Sequence, residues 1–372
     1  MNLELHMLQN VPPANLNRDD TGEPKSAVFG GVRRARVSSQ CWKRAIRRDM
    51  GDTLGEMLSG TRTLKVVQLV ADRLVARGRS ADESALAAGR LFESVGIIGA
   101  GKAEAGKSSA LLFLGFDETE HLADAVEANW DVLVSAKEID KKTKPTLKTA
   151  VEKALEKSDA VDLATFGRMI ATLPGRNVDG ALQVAHAIST NRLEAESDWF
   201  TAVDDLASQD EKGAAMIEST GYNSACFYRY MVLDIDALVA RIGAKSAREA
   251  VAVFIASAVS AMPTGKRTST APHSRPSFVM AVVRDGAALS LANAFVKPVK
   301  GAKDGLVAES VAALDSHWDG MAQMYGVDDV KAVAVATTES GALSSLAEFG
   351  VPSVKALSAM AVEAAFGEAG KA

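Results

Sequence analysis

The sequence predicts an α/β chain of the α+β type, in which strands and helices at both ends flank a mostly helical middle. Three observations lead to this prediction. The opening residues LELHMLQNV alternate partly between apolar and polar side chains, as strand residues do. Residues 60 to 180 show helical periodicity. From residue 225 onward, apolar strand-like runs alternate with helical segments. With 372 residues, 47% of them hydrophobic, the chain can bury a core in one large domain or in two to three smaller ones.

The elements near the start are a strand, a long loop and a helix. The strand covers Leu3 to Val11, and prolines and glycines interrupt regular structure in the residues that follow. The segment RRARV is expected to be extended, and Ser38 or Ser39 can cap a helix over residues 40 to 50. The apolar side chains that predict its buried face are Trp42, Ala45 and Ile46.

The remaining elements follow from periodicity and composition. The segments LKVVQLVADRLVARG and HLADAVEANWDVLVSAKEI are amphipathic and predict helices, and LFESVGIIGA is a candidate for a short strand. Residues 225 to 235 predict a strand, SAREAVAVFIASAVSAM a buried helix and PSFVMAVVRDG another strand. The strand VKAVAVAT and the helix SVKALSAMAVEAAF follow near the end.

Several classes of site lack the residues that they require. Cys41 and Cys226 lie far apart, which argues against a disulfide scaffold and a thiolate metal site and favours a reducing cytoplasm. None of the five histidines pairs at helical spacing, and no nucleophile elbow occurs. We therefore expect no metal, no cofactor and no enzyme activity. We also expect no signal peptide and no membrane span, because no basic and apolar leader and no apolar run of about 18 residues occurs.

The strongest charge signal is the segment from Lys25 to Arg48, which has eight basic residues and no acidic one. The formal net charge of the whole chain is -5, so this segment stands out. On the predicted helix, Lys43 precedes Arg47 and Arg44 precedes Arg48 by four residues. Like charges at this spacing destabilise a helix by a few tenths of a kcal/mol per pair, roughly. The unrelieved repulsion predicts a bound polyanion.

Other charged segments allow two interpretations. TGKRTSTAPHSR and FVKPVKGAK are predicted basic loops that could converge with the helix on one polyanion, although ordinary surface charge also explains each of them. Asp19 and Asp20 could bind a metal, but orienting an arginine or capping a turn is the preferred interpretation. A further lysine cluster is either a solvated helical face or a nucleic-acid contact. Its members are Lys137, Lys141, Lys142, Lys144 and Lys148.

Residues 101 to 108, GKAEAGKS, match the P-loop pattern and make an NTPase the alternative function. In a P-loop, Lys107 would reach the phosphates and Ser108 would hold magnesium. However, Glu104 would repel phosphate, and no amphipathic helix clearly opens at Lys107. No apolar strand ending in Asp follows at a suitable distance either.

Five stretches, in this order along the chain, resemble one known family. They are LNRDD with KSAVFGGVRRARVSSQCWKRAIRR, ATFGRM, VDGALQVAHAISTNRLEAESDWFTAVDDL, CFYRYMVLDI and LSLANAFVKPVK. The sequence is similar to the CasC family of the Cas-seven superfamily, the backbone subunits of the type I-E CRISPR surveillance complex Cascade. The resemblance covers nearly the whole chain and is least clear between about residues 60 and 160.

The resemblance implies a hand-like fold. Its palm is RRM-like, of the ferredoxin type, and carries a helical fingers insertion and a thumb loop. The palm would comprise residues 1–59, 181–189 and 225–372, the fingers residues 60–180 and the thumb residues 190–224. Gly30 and Gly31 would form a loop that lets a backbone pass closely.

The resemblance also implies a function. The protein would be a non-catalytic scaffold, with six copies head to tail along one CRISPR RNA, next to the other Cascade subunits. It would kink the guide at regular intervals and present it for pairing with target DNA. A general RNA-binding protein without a CRISPR role is a further alternative.

The resemblance assigns roles to particular residues. Those expected on the guide backbone are Arg18, Lys25, Ser38, Gln40, Lys43, Arg47, Lys297, Lys300 and Lys303. Those expected to wedge at a kinked nucleotide are Met169, Phe200 and Thr201. The lysine cluster between Lys137 and Lys148 would touch double-stranded DNA without sequence preference.

Overall fold

The computed structural model describes residues 1–55, 59–99, 106–135, 139–202 and 216–367, and it contains two compact units. Unit 1 comprises Met1–Asp49, Gln183–Ile235 and Val251–Ala372. Unit 2 comprises Met50–Leu182 and Asp236–Ala250.

The described residues form eleven strands and eleven α-helices. The strands are β1 (Asn2–Ala14), β2 (Ser26–Phe29), β3 (Val32–Val37), β4 (Gly60–Thr63), β5 (Leu112–Gly115), β6 (Leu182–Val184), β7 (Ala187–Ser189), β8 (Glu196–Ala202), β9 (Met216–Asp234), β10 (Phe278–Arg284) and β11 (Val330–Thr337). The helices are α1 (Ser39–Leu54), α2 (Val66–Ala76), α3 (Ala81–Ser94), α4 (Phe116–Glu127), α5 (Trp130–Ser135), α6 (Lys144–Ala154), α7 (Val161–Phe166), α8 (Ile235–Ser260), α9 (Arg267–Thr270), α10 (Leu306–Tyr325) and α11 (Val354–Phe366).

The main sheet has the strand order β11-β10-β1-β9-β7-β3-β2, and β6 and β8 also pair with β9. Strand β1 is antiparallel to both of its neighbours, β10 and β9. Its residues from Leu3 to Gln9 are buried without alternation, because this strand lies in the middle of the sheet with both faces covered. The partial alternation in its sequence reflects two buried polar side chains, Glu4 and His6, which contact each other.

Helix α1 confirms the predicted cap and extends beyond the predicted end. The hydroxyl of Ser38 accepts a hydrogen bond from the backbone N–H of Cys41 at 3.3 Å. Trp42 and Ile46 are buried, as predicted from their spacing. The guanidinium of Arg229 in β9 lies 3.7 Å from the centre of the Trp42 ring, and burial lowers the pKa of Arg229 to about 9. This contact fixes the helix on the sheet.

Unit 2 is mainly helical, with β4 and β5 forming a two-stranded sheet. One local prediction was wrong here. The start of LFESVGIIGA, a candidate for a short strand, belongs to α3, and Ile97 and Ile98 after it pack into the helical core. Packing of apolar side chains in the core outweighs local propensity there. The helical prediction for HLADAVEANWDVLVSAKEI is confirmed in its described part, which contains the end of α4 and all of α5.

The predicted thumb loop is largely a β-hairpin in the part of the chain that the structure describes. Strands β8 and β9 pair antiparallel from Glu196↔Tyr222 to Ala202↔Met216. The aromatic and β-branched residues of ESDWFTA favour an extended backbone, which explains the difference. Strand β9 therefore begins well before the predicted residue 225.

The last third of the chain follows the predicted alternation of strands and helices. Helix α8 is interrupted at Gly243, whose φ of 77° and ψ of 158° are not helical. Strand β11 coincides with VKAVAVAT, and α11 begins where the hydroxyl of Ser353 accepts the N–H of Ala356. Among the described residues, no helix combines the length and apolar character needed to cross a bilayer.

Candidate nucleic-acid interface

The basic segment begins with a hairpin of strands β2 and β3. These strands pair from Ser26↔Ala35 to Phe29↔Val32. The two loop residues, Gly30 and Gly31, have φ angles of 58° and 76°. Positive φ at both loop positions is the type I′ geometry that two-residue hairpins favour. The turn requirement therefore accounts for this pair of glycines.

One of the eight basic residues, Arg34, is a structural anchor. Its guanidinium is buried and donates hydrogen bonds to the carbonyl oxygens of Ser189 and Thr190 and to those of Phe295 and Val296, at 2.8–3.2 Å. Burial lowers its pKa below the ordinary arginine value. Arg34 thus fixes the segment before Lys297 next to the hairpin. Because it is buried, it is not available to contact a polyanion at the surface.

Gly30 lies against this anchored segment. A Cβ atom at Gly30 would lie 2.2 Å from the carbonyl oxygen of Val296, whereas one at Gly31 would meet no atom within 4 Å. The backbone that passes closely at Gly30 therefore belongs to the chain itself. The expected close passage of a backbone is therefore met at Gly30 and not at Gly31.

The surface of α1 presents its basic residues to different degrees. Gln40, Arg44 and Arg48 are exposed, whereas Lys43 and Arg47 are half-buried. Burial lowers the pKa of Lys43 from its ordinary value. The assignment of RNA contacts to Lys43 and Arg47 stays a prediction, and Arg44 and Arg48 are the more accessible cations.

The start of α1 is held by the first loop and by a histidine. The N–H of Ser38 donates to Oδ1 of Asn17, and the N–H of Ser39 donates to Nδ1 of His186, both at 2.9 Å. Partial burial, with the charges of Arg36 and Lys25, lowers the pKa of His186. Because Nδ1 accepts a hydrogen bond, this ring is neutral at that nitrogen. The sequence analysis did not identify His186, because nothing in the residues around it indicates a contact with the distant Ser39.

The first loop is organised by Asp19. Its Oδ1 accepts hydrogen bonds from the hydroxyl and N–H of Thr21 and from the N–H of Glu23, at 2.7–3.0 Å. The bond from the Thr21 hydroxyl is the main reason why the pKa of Asp19 is lowered. Asp19 therefore caps a turn, as preferred from sequence, and the described residues contain no cluster suited to a metal ion.

The structure brings cations from three segments to one cleft. Arg18 from the first loop, Arg44 from α1 and Lys266 from the TGKRTSTAPHSR segment all line it. The part of TGKRTSTAPHSR after Lys266 contains the short helix α9 and is not a loop throughout.

The predicted basic loop FVKPVKGAK carries Lys297, Lys300 and Lys303, whose side chains are exposed. Its backbone is held by the carboxylate of Glu309 in α10, which accepts the N–H groups of Gly301 at 3.0 Å and Lys303 at 2.8 Å. These backbone hydrogen bonds, led by that of Lys303, lower the pKa of Glu309. A carboxylate thus orders the loop while its lysines face solvent.

The β8–β9 hairpin exposes aromatic side chains. Trp199 is 73% exposed and Phe200 37% exposed, and Thr201 is also exposed. Because side chains alternate along a strand, Trp199 and Thr201 share one face and Phe200 lies on the other. Sequence reasoning missed Trp199, although two adjacent aromatic residues in the polar run ESDWFTA were a usable signal.

Met169 belongs to unit 2 and is 78% exposed. It follows Arg168, whose Nη1 lies 2.6 Å from Oε2 and 2.8 Å from Oε1 of the buried Glu118. Gly167 and Gly180 pack so closely that a Cβ atom on Gly167 would lie 2.7 Å from the Gly180 nitrogen. A rigid support therefore presents an exposed methionine.

The lysine cluster of unit 2 is exposed at its four described positions. Lys148 forms an ion pair with Glu152 at 3.8 Å, one helical turn later. Lys141 and Lys142 precede α6 in a turn, so the predicted helical face includes only Lys144 and Lys148. Lys137 lies outside the described residues.

The elements on either side of GKAEAGKS contradict a P-loop in this segment. Residues 101–105 lie outside the described part, but the flanking elements are helix α3 before and strand β5 after. A P-loop needs a strand before it and a helix that opens at the lysine. The hydroxyl of Ser108 donates to the carbonyl oxygen of Ala110 at 2.7 Å and has little exposure. The NTPase interpretation is therefore wrong.

Comparison with known proteins decides the family. The family model Cas_CT1975, described as CT1975-like protein, matches residues 3–361. The chain belongs to the CT1975-like family. A search of curated proteins finds no significant match.

Solved structures are similar to nearly the whole chain. One similar chain comes from a structure titled "CRISPR RNA-guided surveillance complex, pre-nicking", with a TM-score of 0.86 and 31% identity. Another comes from "CRISPR RNA-guided surveillance complex", with a TM-score of 0.75 and 27% identity. Each alignment covers 98% of this chain and 100% of the other.

Proposed function

We propose that this CT1975-like protein is a CRISPR RNA-binding backbone subunit of a surveillance complex, and specifically of the type I-E complex. The observation that carries the proposal is the match over 98% of the chain, at a TM-score of 0.86, to a chain from an RNA-guided surveillance complex. In this role the protein is a scaffold and not a nuclease, and it would act in antiviral defence inside a ribonucleoprotein filament.

The finer fold assignment is an RRM-like palm. Strands and helices in the order β1, α1, β7, β9, α8 and β10, with β1 inserted between β9 and β10, support a split βαβ arrangement of the ferredoxin type. Unit 2 supports a helical fingers insertion near residues 60–180, and the β8–β9 hairpin supports a thumb within residues 190–224. The palm would then comprise residues 1–59, 181–189 and 225–372.

RNA binding is expected on the basic segments and not on the sheet face that RRMs commonly use. RRM domains stack bases on exposed aromatic residues of the sheet. Here the Tyr228 ring is buried, stacks with Tyr230, and its hydroxyl accepts the N–H of Leu291 at 3.0 Å. Because the hydroxyl and ring of Tyr228 are engaged within the chain, this side chain is not available to stack on a base. This supports the proposal that the guide RNA binds to the basic segments.

The guide backbone is expected to contact three groups of side chains. Phosphate contacts give affinity without sequence preference, which suits a protein whose RNA differs from one complex to the next. The proposed contacts are Arg18, Lys25, Ser38, Gln40, Lys43, Arg47, Lys297, Lys300 and Lys303. Target DNA would pair with the guide, and Lys137, Lys141, Lys142, Lys144 and Lys148 would contact its duplex through their charge.

The thumb is expected to interrupt the guide at regular intervals. Phe200 and Thr201, with Met169, would replace the base stacking that is lost at each kink. Substituting Phe200→Ala should change the chemical reactivity of nucleotides only at the kinked positions, because alanine offers no ring for stacking. Probing of the bound guide measures this, and Phe200→Leu, which keeps apolar bulk, should have a smaller effect. An unchanged profile in Phe200→Ala would count against the thumb assignment.

Copurification with RNA tests the whole proposal. The protein, expressed with a CRISPR array and the other subunits, should retain RNA of guide sequence, with six copies per complex by native mass spectrometry. Without RNA, head-to-tail contacts are heterologous, so monomers or open filaments are expected. Recovery of mixed cellular RNA without guide enrichment would favour a general RNA-binding protein, and absence of RNA would reject the proposal.

A further inference from the structure

The cleft between the first loop, α1 and the segment before α9 has a volume of about 660 Å³. All three segments belong to unit 1. This volume falls within the range of about 300 to 1,000 Å³ that is typical of small-ligand sites. The cleft is therefore large enough for one nucleotide.

The wall that carries Lys266 is held by close backbone packing. A Cβ atom on Gly265 would lie 2.3 Å from the carbonyl oxygen of Leu16 and 2.7 Å from that of Asn15. The next residue, Lys266, has a φ of 47°, in the left-handed region that residues with side chains rarely adopt. Such a conformation persists only where the surrounding structure imposes it. Lys266 is thus held at the cleft by the fold.

The charges that line the cleft favour an anion. Arg18, Arg44 and Lys266 come from three different segments, and none of them forms an ion pair with a carboxylate within the described residues. Two carboxylates also line the cleft. That of Asp19 is occupied by its own turn, and that of Asp20 is exposed. Three cations that form no ion pair in the described part of the chain thus line the cleft with two carboxylates, of which one is engaged in its own turn.

We propose that this cleft holds one nucleotide of the bound RNA, with its phosphate between Arg44 and Lys266. The inference rests on the proposed RNA-binding function and adds two residues to it. A guanidinium can bind a phosphate through two parallel hydrogen bonds, and a lysine adds a point charge. Gln40 and Arg48 lie one turn to either side of Arg44 and share its face of α1. An RNA strand that follows this face of α1 would therefore meet Arg44 at the cleft.

Cys41 is a natural reporter for occupancy. It lines the cleft and is half-buried, whereas Cys226, the other cysteine of the chain, is fully buried. Burial raises the pKa of the Cys41 thiol, which lowers the fraction of reactive thiolate. Bound single-stranded RNA should slow the alkylation of Cys41 by N-ethylmaleimide about tenfold or more, because ligand-filled clefts exclude other molecules. Peptide mass spectrometry measures this rate for each cysteine.

The outcomes separate the inference from the proposed function. If RNA binds and Cys41 reacts at the same rate as in the free protein, the cleft is empty and the inference alone fails. If wild-type protein binds no RNA, both fail. Protection by adenosine monophosphate or inorganic phosphate equal to that by RNA would make a free anion the occupant and overturn the inference.

Charge-neutral variants test the two residues directly. Arg44→Gln and Lys266→Gln should each weaken RNA binding about tenfold and reduce the salt slope by about 0.7, the value for one phosphate contact on a single strand. The double variant should also lose protection of Cys41. Lys355→Gln removes an exposed charge outside the cleft and should change neither quantity. Asp20→Asn should strengthen binding. Equal effects of Lys355→Gln and Lys266→Gln would overturn the assignment.

Discussion

Replacing Lys297, Lys300 and Lys303 together by glutamine should weaken RNA binding about 100-fold at about 0.1 M salt. The slope of log affinity against log salt concentration should become less negative by about 2, because three single-strand phosphate contacts contribute about 0.7 each. The side chains are exposed, and the backbone that carries them is ordered by Glu309. The substitutions therefore remove charge without disturbing this support. Fluorescence anisotropy with an unstructured RNA at several salt concentrations measures both quantities.

Two further variants separate charge from position. Lys355→Gln lies in α11, outside the loop, and should leave the affinity and its slope unchanged. Glu309→Ala keeps all three lysines but removes the acceptor of two loop N–H groups. We expect it to lower affinity by less than the triple variant and to preserve the salt slope. A triple variant with wild-type slope would show that these lysines do not contact phosphate.

The substitution Glu118→Gln should destabilise unit 2 by about 3–5 kcal/mol, the cost of removing one partner from a buried ion pair. The side chains of Glu118 and Arg168 are 0% and 2% exposed, and their closest N–O distance is 2.6 Å. Glu118 also accepts the N–H of Gly115 at 2.9 Å, at the start of α4. Without the carboxylate, the guanidinium charge of Arg168 remains buried and unpaired. Urea unfolding, combined with hydrogen exchange of unit 2 amides, measures the loss.

The surface pair of Lys148 and Glu152 provides a matched control. Glu152→Gln breaks an exposed ion pair and should cost less than about 1 kcal/mol. The double variant Glu118→Gln with Arg168→Met should recover part of the loss, because the unpaired charge is then absent. A change below about 1 kcal/mol in Glu118→Gln would mean that water reaches the pair. Because Met169 follows Arg168, the variant Glu118→Gln should also weaken any contact that Met169 makes with RNA.

Many elements could be predicted from the sequence because the pattern that specifies each of them lies within a few neighbouring residues. The strand VKAVAVAT, the cap at Ser38 and the buried positions Trp42 and Ile46 follow from alternation, hydrogen bonding and helical spacing within a few residues. The concentration of positive charge between Lys25 and Arg48 is likewise visible in the sequence. These features do not depend on which distant segment packs against them.

Other features depend on partners far away in the chain. Arg34 and Arg33 are adjacent basic residues, yet Arg34 is buried because carbonyl groups from residues 189–190 and 295–296 surround it. LFESVGIIGA is apolar enough for a strand, but packing in the core of unit 2 decides in favour of α3 and a turn. A single sequence does not show these long-range contacts.

The sequence by itself determined an α+β chain with a helical middle and one dominant basic segment. Only the tertiary structure decided which charges serve as anchors and which are exposed. It buried Arg34, ordered the lysines after Val296 on Glu309, and placed Lys266 beside Arg44 and Arg18. The physical reason is that a charge count follows from composition, whereas burial and proximity follow from packing, which for Arg34 and Phe295 joins residues that are 261 positions apart.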